Sequence, residues 1–133
     1  MEKAFLKYEI PEKATRLERM AAYSIKRSFG RFKFGFEGSY YRFYFSTTKG
    51  NVDFLKQREA LVKLDSSLAL HSTAKKIWSM CGGGNQNPVV VCNACISGLM
   101  AIIIGGRLIR QGVYDRVVVC GADEISDFCF DWF

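Results

Sequence analysis

Hydrophobic positions recur along this chain with two different periods, and the changes of period mark its elements. Thr15-Arg16-Leu17-Glu18 has the pattern of a capping box, and Leu17, Met20, Ala21 and Ser24 follow at helical spacing, which predicts a helix over residues 15–29 with Gly30 as its stop. Aromatic residues crowd positions 31–45, broken by Gly35 and Gly38, and read as strand material with a turn, strongest over residues 40–45. Polar residues 46–51 form a loop. Residues 52–64 then read as a helix with Asp53 in its favourable first turn, and Ser66-Ser67 breaks the pattern. A further helix is predicted over residues 70–80, with Ala74, Ile77 and Trp78 on one side and Lys75-Lys76 on another, ended by the Gly-rich run up to Pro88.

The second half changes character. Val89-Val90-Val91-Cys92 is an unbroken apolar strand, residues 97–111 form a helix apolar on nearly every side, and after a turn at Gly112 residues 116–120 form another buried strand. Strand, helix and strand of this kind make a right-handed parallel βαβ unit, so the fold class is α/β. Gly105-Gly106 in the middle of the helix suits a buried central helix packed closely on a partner helix. No internal repeat or low-complexity tract interrupts the pattern.

Composition narrows the setting. A chain of 133 residues, 49% of them hydrophobic, fits one domain with a sizeable core. With 19 Lys and Arg against 13 Asp and Glu the net charge is +6, which favours acidic partners such as nucleic acid, an anionic membrane or an acidic carrier protein. The N-terminus has no signal-peptide core, and the apolar run over residues 99–106 is far below the ~18 residues of a membrane span, so a soluble protein of the cytoplasm is expected. Five cysteines without a regular framework fit reduced thiols in that compartment better than a disulfide scaffold.

Cys95 falls where the first apolar strand has ended and the helix begins. Its sulfur is expected near the unpaired N–H groups of the helix N-terminus, a field that lowers a thiol pKa and favours the nucleophilic thiolate. The same amides can face a thioester oxygen as it gains negative charge, forming half of an oxyanion hole, with Gly98 keeping the approach open. The plainer alternative is that Cys95 is a small buried hydrophobe. A reactive Cys95 is expected to outpace Cys92 towards iodoacetamide.

Asn93-Ala94-Cys95-Ile96-Ser97-Gly98-Leu99, the helix end Arg107-Leu108-Ile109-Arg110-Gln111-Gly112, and Asp115-Arg116-Val117-Val118-Val119-Cys120-Gly121-Ala122-Asp123-Glu124 together resemble the nucleophile region of β-ketoacyl-acyl carrier protein synthases, condensing enzymes of the thiolase-like fold. The resemblance is specific over residues 89–124. In weaker form it covers most of residues 40–124, through Phe45-Ser46-Thr47-Thr48-Lys49-Gly50, Ala74-Lys75-Lys76-Ile77 and the Gly-rich turn before Pro88.

The resemblance implies a partial thiolase-like fold with a mixed or parallel sheet and a buried nucleophile helix, residues 1–133 being the N-terminal part of a single truncated domain. It implies Cys95 as the residue that accepts an acyl chain from an acyl carrier protein or another acyl thioester. Decarboxylation of a malonyl thioester then supplies the carbanion that lengthens the chain by two carbons, as in fatty acid or polyketide-like synthesis. No cofactor and no metal is implied, and Cys92 is expected to be a buried bystander. The family's two catalytic histidines belong to a C-terminal half, whereas the only histidine here, His71, reads as a helix-start residue, so condensing activity is expected to require that half. A homo- or heterodimer is implied, with Val89 to Cys92 at its interface.

The same residues admit other chemistries. Cys92-Asn93-Ala94-Cys95 is a CxxC at a strand-to-helix junction, the position of a thioredoxin-like redox pair, but Pro11 and Pro88 both precede it and no proline follows. Zinc could borrow Cys92, Cys95, Cys120 and Cys129, though a second close pair is lacking. The basic-aromatic stretch 27–45 could stack on nucleic-acid bases with Arg31, Lys33 and Arg42 on phosphates, yet an aromatic strand pair closing a core is the favoured reading, and no nucleic-acid partner is expected. Residues 46–50 lack the order of a phosphate-binding loop, and Gly82-Gly83-Gly84 opens no helix after a strand. A non-catalytic interaction fragment is the remaining alternative.

Overall fold

The structure is a computed structural model that describes residues 2–31, 41–51, 69–83 and 86–125. Among them the chain runs α1 (Glu2–Lys7), α2 (Arg16–Arg31), β1 (Tyr41–Ser46), α3 (Leu70–Met80), β2 (Val89–Val91), α4 (Ser97–Arg110) and β3 (Arg116–Gly121). It is a mixed α/β arrangement around a three-stranded parallel sheet of order β2-β1-β3. The helix predicted over residues 52–64 lies outside the described residues, as do Ser66-Ser67 and most of the aromatic stretch before β1.

The capping box forms as the sequence predicts. The Glu18 amide donates to Thr15 Oγ1 at 3.1 Å and the Thr15 amide donates to Glu18 Oε2 at 2.9 Å, so two amides at the helix start are paired reciprocally. The helix then runs one residue past Gly30, to Arg31, because a glycine lowers helix stability without blocking the backbone bonds. Its first turn also anchors a buried polar cluster. Thr15 Oγ1 donates to Asn51 Oδ1 at 2.9 Å, Asn51 Nδ2 donates to Thr73 Oγ1 at 2.9 Å and to Glu18 Oε1 at 3.4 Å, and Lys76 Nζ stands 3.7 Å from the same carboxylate. Glu18 is fully buried, and these partners supply what water no longer does.

Strand alternation sorts β1 between two faces of the sheet. Tyr41, Phe43 and Phe45 join Leu17, Ala21 and Ile25 of α2 and Ala74, Ile77 and Trp78 of α3 in the main core. Ser46, with the opposite parity, looks towards Gly98 of α4, while Gly105 of that helix meets Val117 of β3. Helices therefore cover both faces, as parallel sheets require. The short α1, unremarked in the sequence, is held where Phe5 and Ile10 pack with Ala22, and the Arg19 guanidinium lies 4.5 Å from the Phe5 ring centre.

The β2-α4-β3 unit is parallel, as the sequence predicts, and β1 pairs between its two strands. Two expectations are corrected. First, α4 is not a buried helix. Only Ser97, Ala101 and Gly105 are buried, while Leu99 and Ile102 are each about 60% exposed and Ile103 and Ile109 also face outward, because the sheet covers one side of a helix that is apolar on several. Second, the paired glycines do not meet a partner helix. Gly105 instead admits β3: a Cβ there would lie 2.7 Å from Val117 Cγ1, whereas one at Gly106 would meet nothing within 4 Å.

Both ends of α4 are defined. Gly112 takes φ +68°, and the amides of Gly112 and Val113 donate to the carbonyls of Ile109 and Leu108, each at 3.0 Å, which closes the helix in a Schellman motif before β3. Among the described residues no helix is long and apolar enough to cross a membrane.

Candidate functional site

Parallel strands deliver their C-terminal ends to one edge of the sheet, where helix N-termini also gather, and such edges are where α/β folds build ligand sites. Here the register aligns Ser46 of β1 with Val91 of β2 and with Gly121 of β3. Three loops consequently converge: residues 46–51, residues 92–96 and residues 121–125.

Asp123 ties the first of these to the third. Its Oδ1 accepts hydrogen bonds from Thr47 Oγ1 and from the Thr48 amide, both at 2.8 Å, and Thr47 Oγ1 in turn accepts from the Gly50 amide at 2.9 Å. Backbone bonds continue the seam, with the Ala122 amide donating to Ser46 O at 3.1 Å and the Thr47 amide to Val91 O at 3.3 Å. Glu124, buried, is reached by Arg16 Nε at 3.6 Å, which joins the end of β3 to the start of α2. A carboxylate accepting two short bonds fixes the loop more firmly than a neutral acceptor would.

The second loop carries both cysteines of interest. Cys92 lies just past β2 and is exposed, with its sulfur 3.7 Å from Thr48 O, so the expected buried bystander is corrected: the strand ends at Val91 and its last cysteine points clear of the core. Cys95 is exposed too and directly precedes Ile96, the N-cap of α4. Exposure excludes the alternative that Cys95 is a small buried hydrophobe.

Between the cysteines the backbone makes a sharp elbow. Ala94 has φ +44°, a conformation that costs a residue with a Cβ about 1–2 kcal/mol. Such strain persists only where surrounding bonds enforce it. Those bonds are the Ile96 and Ser97 amides donating to Asn93 O and Ala94 O, both at 3.2 Å, and the Ser97 hydroxyl, which accepts from the Asn93 amide and donates to Ala94 O, each at 2.7 Å. The first amides of α4 beyond this knot have no partner within the helix and carry its positive partial charge, so they can face an oxygen that gains negative charge. Gly98 sits half-buried over Ser46, whose hydroxyl a Cβ would meet at 3.7 Å.

The other described cysteines are chemically remote. Burial pushes the Cys81 thiol up to about 12, against a smaller opposing pull from Lys26, and burial pushes Cys120 up to about 11. All four described cysteines are free thiols, so Cys92 and Cys95 are not joined. Among the described residues no three His, Cys, Asp or Glu side chains are grouped to hold a metal, and Cys129 lies outside them. His71 is the second residue of α3 and is exposed, as a helix-start residue should be. Tyr41, Phe43, Tyr44 and Phe45, the described aromatics of residues 31–45, are buried, which leaves them unsuited to stack on a base.

Ser97 and Asp123 also build the site. The sequence signal for Ser97 is a serine opening an apolar helix, a position where hydroxyls satisfy backbone groups. Asp123 carried no local signal, since its partners stand 75 and 76 residues away. No protein-family model matches the chain, and no curated protein matches it at significant similarity.

Proposed function

We propose that the chain is the N-terminal part of a condensing enzyme of the thiolase-like fold, a β-ketoacyl-acyl carrier protein synthase, with Cys95 as its acyl-accepting nucleophile. One observation carries this reading: an exposed cysteine follows a residue held at positive φ in a strand-to-helix elbow, at the C-terminal edge of a parallel sheet. Attack needs a sulfur that stands clear of the core, and the opening amides of α4 are suited to the oxyanion of the tetrahedral intermediate.

In the first half-reaction the Cys95 thiolate attacks the carbonyl carbon of an acyl thioester. A new C–S bond forms, the old one breaks, and the carrier leaves as a thiolate that takes up the proton given to solvent when Cys95 ionised. In the second, a malonyl thioester loses carbon dioxide, its carbanion attacks the acyl carbon, and Cys95 leaves as thiolate while the product gains two carbons. Decarboxylation calls for groups beyond those gathered at Cys95, so the second half-reaction belongs to a complete enzyme. An acyl carrier protein as donor fits the net charge of +6, and the outward apolar residues of α4 support an assembly larger than this chain, including a dimer. Free thiols support a cytoplasmic setting.

The test is acylation itself. After incubation with octanoyl-coenzyme A, intact mass should rise by one octanoyl group, peptide mapping should find it on Cys95, and Cys95→Ala should remain unmodified. Octanoylation that persists in Cys95→Ala refutes the assignment.

Exposure of both Cys92 and Cys95 favours one second reading, a dithiol that closes reversibly. It requires two free thiols to disappear under mild oxidation, and an unchanged thiol count removes it.

A further inference from the structure

We infer that Ser97 is a positioning residue for Cys95: its hydroxyl is the clasp that keeps the elbow in its strained form, and the reactivity of Cys95 depends on that clasp. The inference rests on the reading of Cys95 as a nucleophile and adds a residue to it. Ser97 is 4% exposed, its hydroxyl spent on two 2.7 Å bonds that span the elbow, one from the Asn93 amide and one to the Ala94 carbonyl. These are the shortest bonds in the turn, since the backbone pairs there measure 3.2 Å.

Position explains the effect. Ser97 belongs to the first turn of α4, a helix fixed on the sheet through Ala101 and Gly105, while Asn93 and Ala94 belong to the segment leaving β2. The hydroxyl therefore links a rigid element to the two residues that precede Cys95. Without it the Asn93 amide loses its acceptor, and the positive φ of Ala94 loses one of the bonds that enforce it. The turn then relaxes, and Cys95 shifts relative to the free amides of α4. A misplacement of about 1 Å at a reacting atom costs up to ~100-fold in rate.

Iodoacetamide provides a readout independent of any condensing activity. On the native chain, Cys95 and Cys92 are alkylated in competition and their rates are followed by peptide mapping between pH 6.5 and 9. The expected ratio favours Cys95, and Ser97→Ala should lower that ratio about tenfold and move the pH profile of Cys95 while that of Cys92 stays put. A purely structural role would lower the melting temperature and leave ratio and profile unchanged, and that outcome overturns the inference. Should Ser97→Ala lose its far-UV circular dichroism spectrum, Ser97→Thr carries the test. It keeps a hydroxyl and should hold the ratio within about twofold, and collapse of the ratio in folded Ser97→Thr overturns the inference as well. Failure of octanoyl transfer with an intact Ser97 effect would instead strike the function alone.

Discussion

Phe43 and Trp78 lie ring against ring, 4.7 Å between centroids and 7° from parallel, joining the central strand to α3 in the middle of the core. Both are almost wholly buried. Truncating a buried aromatic leaves a cavity as well as losing its transfer energy, so Trp78→Ala should destabilise the fold by about 3–5 kcal/mol. Phe43→Leu, which keeps an apolar but smaller side chain and loses the stacked face, should cost about 1 kcal/mol or somewhat more. Urea unfolding followed by circular dichroism measures both, and a Phe43→Leu loss far below about 1 kcal/mol would mean that the stack adds little to the core.

Gly105 and Gly106 form a matched pair on α4. Alanine at 105 drives its methyl against Val117, so the strand or helix must give way, at about 1–3 kcal/mol. Alanine at 106 meets open space and gains helix propensity, up to about 1 kcal/mol in the stabilising direction. Opposite signs in the two unfolding midpoints are the expected result.

Ala94 has a different balance. Glycine accepts φ +44° without strain, which recovers about 1 kcal/mol, but it adds unfolded-state freedom worth about 0.5–1 kcal/mol, so Ala94→Gly should be close to neutral. Ala94→Val should destabilise by roughly 1–2 kcal/mol or more, because a β-branched residue fits that conformation least well. Thermal unfolding separates the two, and a neutral valine variant would contradict the elbow.

The thiols should divide by location. At pH 8, iodoacetamide is expected to modify Cys92 and Cys95 quickly and to spare Cys81 and Cys120, whose thiols burial holds at about 12 and about 11. The same shifts act on stability. Unfolded cysteines ionise near 9, while the folded ones keep their protons, so the stabilisation is fully present below pH 9 and is lost as pH rises towards 11–12. Cys81→Ala with Cys120→Ala should flatten the decline of the urea midpoint between pH 9 and 11, and an unaltered slope would show that these thiols do not drive it.

Local physics made most elements legible in the sequence. The Thr15–Glu18 box, the strand before Ser46, the bounds of α3 and the Gly112 turn all follow from side chains and backbone within a few residues of one another, and each appears where the periodicity predicts it. Cys95 at a strand-to-helix junction was likewise readable, because both periods meet there. What the sequence could not decide involves residues far apart along the chain. Apolar character alone cannot tell a helix covered on all sides from one like α4, since covering depends on how much sheet lies beneath it. Strand order depends on which backbone edges pair, so β1 came to separate β2 from β3. Asp123 gained its role only when parallel pairing carried it to Thr47 and Thr48, and the strain at Ala94 became visible only once the Ser97 hydroxyl closed the elbow.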